Sequence, residues 1–433
     1  MTTSRSGDGW LASYRGFSRA TYAVFAARAV NIFGSGLVYP FAALHFHLEV
    51  GIPLGLVGVG LLANNVATAV GNGAGGVLSD RLTRRTVMVA SMATSAVTLA
   101  AYALVGTAVE FVVVASLAGL TQGLYAPASQ AAVADLAPEG DRDRAFAVLK
   151  VASNAGFGLG FVLGGVLYGA AGAAIFVADG ATSAVVAALL LAALPARLDA
   201  DAAEGTSAED AAGSAAGLRE DLAALARRPV ALLVLLNVGF AVAYGQMGST
   251  VPVYAEETLG LSSAVIGAVF VVNPATIVAL QLPVTDRLAD WRRTRTLGLS
   301  ALVWSASFLV LLAGYLVAGL GGLAVGAAVL GGFLFVRTVG EVLHAPTVIA
   351  LASDVATPGT RGGHLSALVV AKRVGFGVGA AVGGLAFDAG LERALWLALA
   401  ALCVALLVGL AGLEQVLAPE QNRSDGGEPA PAD

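Results

Sequence analysis

Arg337, Glu341 and His344 occur together in VRTVGEVLHAP, inside a long apolar stretch. Arg337 and Glu341 are four residues apart, and Glu341 and His344 are three apart, so on a helix they share one face. Lys372 and Arg373 lie in a later apolar stretch, and Asp179 lies in a third, in FVADG. An ionisable side chain at membrane depth costs roughly 2.5–3.5 kcal/mol and by default marks function. The chemistry open to a carboxylate among cations is proton uptake and release. Apolar surroundings favour the neutral acid, and a neighbouring guanidinium favours the carboxylate. A conformational change can exchange one influence for the other. Glu341 is therefore the candidate proton-coupling group, tuned by Arg337, His344 and Arg373. The alternative is a static ion pair that fixes one helix to the next. Asp179 is a second proton-coupling candidate, and its alternative, favoured here, is a place facing an aqueous vestibule.

Such residues need membrane-crossing helices to position them. Of 433 residues, 57% are hydrophobic and 12% charged, against about 25% charged in soluble domains. Mean hydropathy is +0.81. One Cys excludes a disulfide framework, and a net charge of -5 excludes a basic surface for nucleic acid. No H-E-x-x-H, G-x-x-x-x-G-K-[ST] or cysteine-based metal motif is present, so no enzyme, metal or cofactor is expected. Apolar runs predict twelve spans, at 20–46, 54–79, 86–106, 109–134, 145–170, 173–195, 230–253, 262–284, 297–318, 321–352, 365–389 and 391–414. The polar opening, 1–19, reads as free of a cleavable signal. Of 24 Arg and Lys, 18 fall on one side of these spans, only Arg393 falls on the other, and five lie within spans. That bias puts both termini and the middle loop in the cytoplasm.

The expected domains are a six-helix bundle over 1–195, a cytoplasmic linker with a short interfacial helix over 196–229, a second six-helix bundle over 230–414, and a disordered tail over 415–433. The bundles repeat each other. Pro127, Asp135 and Arg142 match Pro346, Asp354 and Arg361 at an offset of 219, and Gly156, Gly160, Gly164 and Gly165 match Gly375, Gly379, Gly383 and Gly384. Two such halves related by an axis along the membrane normal describe a transporter architecture.

The end of the second span reads Gly76-Val-Leu-Ser-Asp80-Arg81-Leu-Thr-Arg84-Arg85. This resembles the G-x-x-x-D-[RK]-x-G-[RK]-[RK] signature of the major facilitator superfamily, with Thr83 where the family has Gly. The resemblance covers 20–414 and implies an all-α membrane fold of twelve helices in two pseudo-symmetric six-helix bundles. It also implies that Gly76, Asp80, Arg81, Arg84 and Arg85 form a cytoplasmic gate, Gly76 letting another helix approach. The fifth span resembles the family's antiporter motif G-x-x-x-G-P-x-x-G-G, through Gly156, Gly160, Gly164 and Gly165, with Phe161 in place of Pro. Gly156, Gly160 and Gly164 also line one stripe and could serve packing alone. The first span, with Arg28, Asn31, Gly34, Gly36 and Pro40, resembles the multidrug-efflux branch, and Pro40 should kink it. The coupling Arg that the branch often carries in the fourth span is replaced by Ala115.

The substrate cavity has Arg28, Asn31, Asn64, Gln122, Tyr125, Asn237, Tyr244, Gln246 and Asn273 as candidate lining, with Asn65 and Trp304 beside them. Arg28 either faces this interior or snorkels to the inner surface. Each amide serves equally well as ligand contact or interhelical bond. Lys150 is expected to snorkel, and His45 and His47 to lie at the membrane interface. Mostly apolar walls suit amphipathic molecules. The sequence thus reads as a monomeric secondary transporter in a prokaryotic cytoplasmic membrane. Its partners are a small molecule, protons or Na+, and lipid. Efflux in exchange for protons is preferred; an uptake symporter and a non-transporting sensor are the alternatives.

Overall fold

The computed structural model describes residues 16–195, 227–288, 290–317, 322–356 and 361–423, apart from the side chains of Asp80, Glu139 and Arg361. All regular structure among them is helical. Twelve helices are long and apolar enough to cross a membrane. They are α1 (Arg19–Glu49), α2 (Leu54–Ser79), α3 (Arg84–Leu104), α4 (Ala108–Leu136), α5 (Arg142–Ala171) and α6 (Ala174–Ala193), then α7 (Arg228–Glu257), α8 (Ser263–Arg287), α9 (Arg293–Val317), α10 (Gly322–Val355), α11 (Gly362–Asp388) and α12 (Glu392–Val416). The expected linker 196–226, with most of its interfacial helix, and the end of the tail, 424–433, lie outside the described residues. Residues 415–423, expected to be disordered, are folded. A short 3-10 turn, Pro419–Asn422, follows α12, and the buried Asn422 amide accepts from Thr294 N and donates to its hydroxyl, both at 3.0 Å.

The two halves pack alike. α1 lies on α5 as α7 lies on α11, and α3 lies on α4 as α9 lies on α10. The halves meet where α2 packs on α11 and α5 packs on α8. Glycine makes both kinds of contact possible. A Cβ on Gly156, Gly160 or Gly164 would strike the backbone of α1 at Ala29, Phe33 or Leu37. On α11, Gly375 and Gly379 meet α7 in the same way. Gly165 instead crosses to Ser263 of α8, and Gly384 crosses to Leu54 of α2. One stripe of the motif therefore builds each half, and its last glycine joins the halves.

Helices α1 and α7 are both broken. Pro40 has no N–H to donate, so the first segment of α1 ends at Val38 and helix resumes at Ala42. In α7 a 3-10 turn, Gly245–Gly248, separates two helical segments. The breaks meet across the halves, where the Tyr39 ring lies against Gly248. At the far face, opposite the termini, Asp388 at the end of α11 accepts from the backbone N–H groups of Leu54 and Gly55, both at 2.8 Å. The acid thus caps the first turn of α2 in the other half. The one Cys, Cys403, is buried in α12.

Gly160→Val should push α1 off α5 at Phe33 and Gly36. Overpacking of that kind costs about 1–3 kcal/mol, so the thermal unfolding midpoint in detergent should fall. Gly76→Ala, whose Cβ meets open space, should leave the midpoint unchanged.

Candidate functional site

The arrangement around Glu341 begins with how α10 is held. Ser300 and Trp304 of α9 donate to the carbonyls of Gly340 and Arg337, at 2.7 and 2.9 Å. Gly340 has no side chain because the Trp304 indole occupies that space. This clamp fixes the rotation of α10 and turns Arg337, Thr338 and Glu341 towards α7 and α8. Arg337 donates to Glu341 Oε2 at 3.0 Å, and its guanidinium stacks over the Tyr244 ring at 4.1 Å. Tyr244 of α7 donates its hydroxyl to Glu341 Oε1 at 2.9 Å. Asn273 of α8 donates to Glu341 Oε2 at 3.1 Å and to the Thr338 hydroxyl at 2.9 Å. The Arg337 side chain is 2% exposed and that of Glu341 is 16% exposed, so the pair is largely enclosed by protein. Three helices thus supply donors to one acid, and the bonds are charge-assisted while it is ionised.

The other members of the expected coupling group make their contacts with other residues, although His344 stays within electrostatic range of Glu341 and Arg337. His344 packs between Phe240 and Trp304, at ring separations of 4.4 and 5.7 Å. Arg373 points to the other half and donates to Asn65 Oδ1 of α2 at 3.4 Å. Its neighbour Lys372 is the α11 residue that reaches the site, with Nζ 4.9 Å from the Tyr244 ring centroid. The ion pair therefore ties α10 to α7 and α8 rather than to α11. Tyr39, unforeseen from sequence, lies within electrostatic range of Arg337, Glu341 and Arg373. The signal for it was the break at Pro40, which turns Tyr39 towards α7. Asp179 does not face a vestibule. It is 3% exposed, and a Cβ on Gly34 of α1 would strike its carboxylate.

Several cavity candidates spend their polar groups on helix packing. Asn64 donates to Ala115 O at 2.9 Å, Asn237 to Leu368 O at 3.0 Å and Gln246 to Gly379 O at 2.8 Å. Asn31 reaches Met92 Sδ at 3.6 Å, away from Arg28. Arg28 turns inward rather than snorkelling, and donates to Ser153 of α5 at 3.2 Å. Tyr125 is buried in the first bundle and Gln122 is half-buried on α4. Only Tyr244 and Asn273 of this set converge on Glu341. His45, expected at the interface, is buried against Phe46 and Phe176 and bonds Glu49 at 2.8 Å. His47 is half-buried and its Nδ1 lies 3.0 Å from Ile52 O.

At the face that bears the termini, the gate motif begins differently from expectation. Gly76 has open space where its Cβ would be, and the close approach falls at Gly75, against Leu124 and Pro127 of α4. The side chain of Asp80 is outside the described residues. Arg81 is exposed. Arg84 forms an ion pair with Asp135, and Arg85 donates to Leu191 O at 2.6 Å. Thr83 caps α3 by accepting from Thr86 N at 3.1 Å. Its φ of -73° needs no glycine there. Arg293 pairs with Asp354 in the second half as Arg84 pairs with Asp135 in the first.

Twelve membrane helices in two like bundles, with an ion pair held between broken helices, define a multi-pass transporter. The chain belongs to the major facilitator superfamily, whose family model matches residues 24–336. It is 25% identical over 386 residues to an uncharacterised MFS-type transporter, YttB, of Bacillus subtilis, covering 88% of this chain and 91% of that one. A Na(+), Li(+), K(+)/H(+) antiporter of Planococcus maritimus is 35% identical over 123 residues, or 27% of this chain and 28% of that one. The crystal structure of the nucleoside transporter NupG matches with a TM-score of 0.79 at 12% identity, over 92% of this chain and 100% of that one. That of the peptide transporter POT in complex with sulfate matches at 0.71 and 17%, over 93% and 96%. At these identities the structures speak for the fold alone.

Arg337→Ala should leave Glu341 without its cation in a buried setting. Breaking such a pair typically costs about 3–5 kcal/mol, which a fall in the thermal unfolding midpoint would register. Glu341→Gln keeps an acceptor for Tyr244 and should perturb folding less.

Proposed function

We propose that the protein is a proton-coupled secondary transporter that moves small amphipathic molecules by alternating access. Glu341 is its proton-binding group. The observation that carries this reading is the convergence of Arg337, Tyr244 and Asn273 on one largely buried carboxylate within a membrane-spanning helix. Ionised, Glu341 holds α7, α8 and α10 together. Protonated, it keeps only neutral-acceptor bonds to the same groups, which are about half as strong. Proton uptake therefore loosens the contacts among three helices.

The positive-inside bias supports a prokaryotic cytoplasmic membrane with both termini inside. In that orientation the conformation is closed on the outer face, where Asp388 caps α2 and Gly384 and Gly165 close the seams between the halves. Gly76, Asp80, Arg81, Arg84 and Arg85 then stand at the cytoplasmic gate. The transporting unit is a monomer. Tyr244 and Phe376 supply one aromatic pair, with ring centroids 5.3 Å apart, and Tyr39 and Phe157 of the other half supply another, at 5.6 Å. Efflux in exchange for protons is supported by the likeness of the first span to multidrug-efflux carriers and by the relative named as a cation/H+ antiporter.

The Arg337–Glu341 pair itself favours a second reading, symport. Neutralising Glu341 leaves the Arg337 charge available to a substrate in the same step. Flux in proteoliposomes under an imposed pH gradient separates the two by direction. Under either reading, Glu341→Gln should abolish acceleration by the gradient while leaving downhill exchange in place. Gradient-driven transport at the wild-type rate in Glu341→Gln would sink the assignment.

A further inference from the structure

Lys372 of α11 is accessible to solvent although protein surrounds it, as befits a residue lining an internal cavity. Within its electrostatic range are Arg337, Arg373, Lys150 and Glu341. Four cationic side chains thus share the space with one carboxylate. Glu341 is already engaged by Arg337 at 3.0 Å. Arg373 has a neutral partner, the Asn65 side chain at 3.4 Å. Lys372 stacks on the Tyr244 ring, also uncharged. Lys150 is contributed by α5 of the other half and is solvent-accessible there. Arg28 bonds Ser153, one turn along α5 from Lys150. Among the described residues the other mid-membrane carboxylate, Asp179, is packed between α1 and α6.

Cations at this depth carry a desolvation cost that a bound counter-charge offsets. A cleft lined by one sign of charge, with low-dielectric walls, also concentrates ligands of the opposite sign. We propose that the substrate is an amphipathic organic anion, its acidic group held by Lys372 and Arg373 and its apolar body laid against the Tyr244 ring. A cationic substrate would have to approach Glu341 past an excess of like charge. Because an anion and a proton do not compete for one group, protonation of Glu341 should tighten anion binding, since it removes the negative charge that faces the four cations; such positive linkage belongs to the symport reading and counts against exchange. The proposal rests on reading this cluster as the substrate site, and its test needs no gradient.

The test is equilibrium binding to the detergent-solubilised full chain, read by calorimetry and by thermal stabilisation. The probes are matched in size: 1-naphthoate and naphthalene-2-sulfonate as anions, naphthylmethyl-trimethylammonium as cation and 2-naphthol as neutral control. Both anions should bind in preference to the cation. Lys372→Gln and Arg373→Gln should each weaken the anions by about tenfold, the loss expected for one charge-assisted bond. Glu341→Gln, the mimic of the protonated acid, should bind them at least as tightly as the natural chain. Preference for the cation overturns the proposal. So does anion binding that is unchanged in the Lys372→Gln/Arg373→Gln double variant, or the absence of any anion binding by folded, monodisperse protein. If the anions bind as expected but Glu341→Gln transports normally under a gradient, the substrate class stands and the proton assignment falls. The reverse pattern leaves the proton assignment and removes the substrate class.

Discussion

A bilayer core offers no water to a bare N–H or C=O, so every polar group there must be satisfied by the protein. Twelve uninterrupted helices would meet that constraint most simply. This chain departs from them at Pro40 and at Gly245–Gly248. Both departures lie where the two halves face each other, and there the freed backbone is enclosed by protein rather than lipid. The same constraint accounts for several of the intramembrane amides. Asn64, Asn237 and Gln246 each find a carbonyl on a neighbouring helix. Such bonds fix helix rotation, and helix rotation decides which charges meet.

The charged cluster shows that dependence directly. Trp304 and Ser300 hold α10 by its own carbonyls, and only then does Glu341 face α7 and α8. The carboxylate is shared among three helices while its strongest partner, Arg337, sits on its own helix one turn away. An ion pair made within a helix can change its protonation without pulling the helix apart. What changes is the grip on Tyr244 and Asn273, and through them the relation of α10 to its neighbours.

Features that depend on one helix alone were legible in the sequence. Apolar runs gave the spans, Pro40 marked the break, and the spacing of Arg337 and Glu341 foretold their pairing. Features that depend on how helices are rotated against one another were not. Lys372 and Arg373 are adjacent and so point about 100° apart on a helix. Which of them lies beside Tyr244 and which turns to Asn65 is set by the packing of α11 on α7 and α2, and adjacency in the chain does not reveal it. Asp179 and Gly76 misled in the same way. A motif located Gly76 and an intramembrane charge located Asp179, but neither could say what lay opposite. The cap on α2 joins residues more than three hundred positions apart. Nothing near Asp388 in the chain announces its partner.

The seams between the halves have one further consequence. Gly384 lies on Leu54, Gly58 on Ala380, Gly165 on Ser263 and Gly267 on Phe161, in each case against main chain. Interdigitated side chains must leave their slots, and often change rotamer, before two surfaces can shear. Surfaces without such teeth behave as a bearing. Motion at these four contacts needs little repacking, whereas Tyr39 on Gly248, Leu62 on Gly377 and Leu385 on Gly55 are side-chain teeth that must shift with it. The glycine seams thus supply cohesion with little friction, and the side-chain teeth and polar links between the halves supply the resistance.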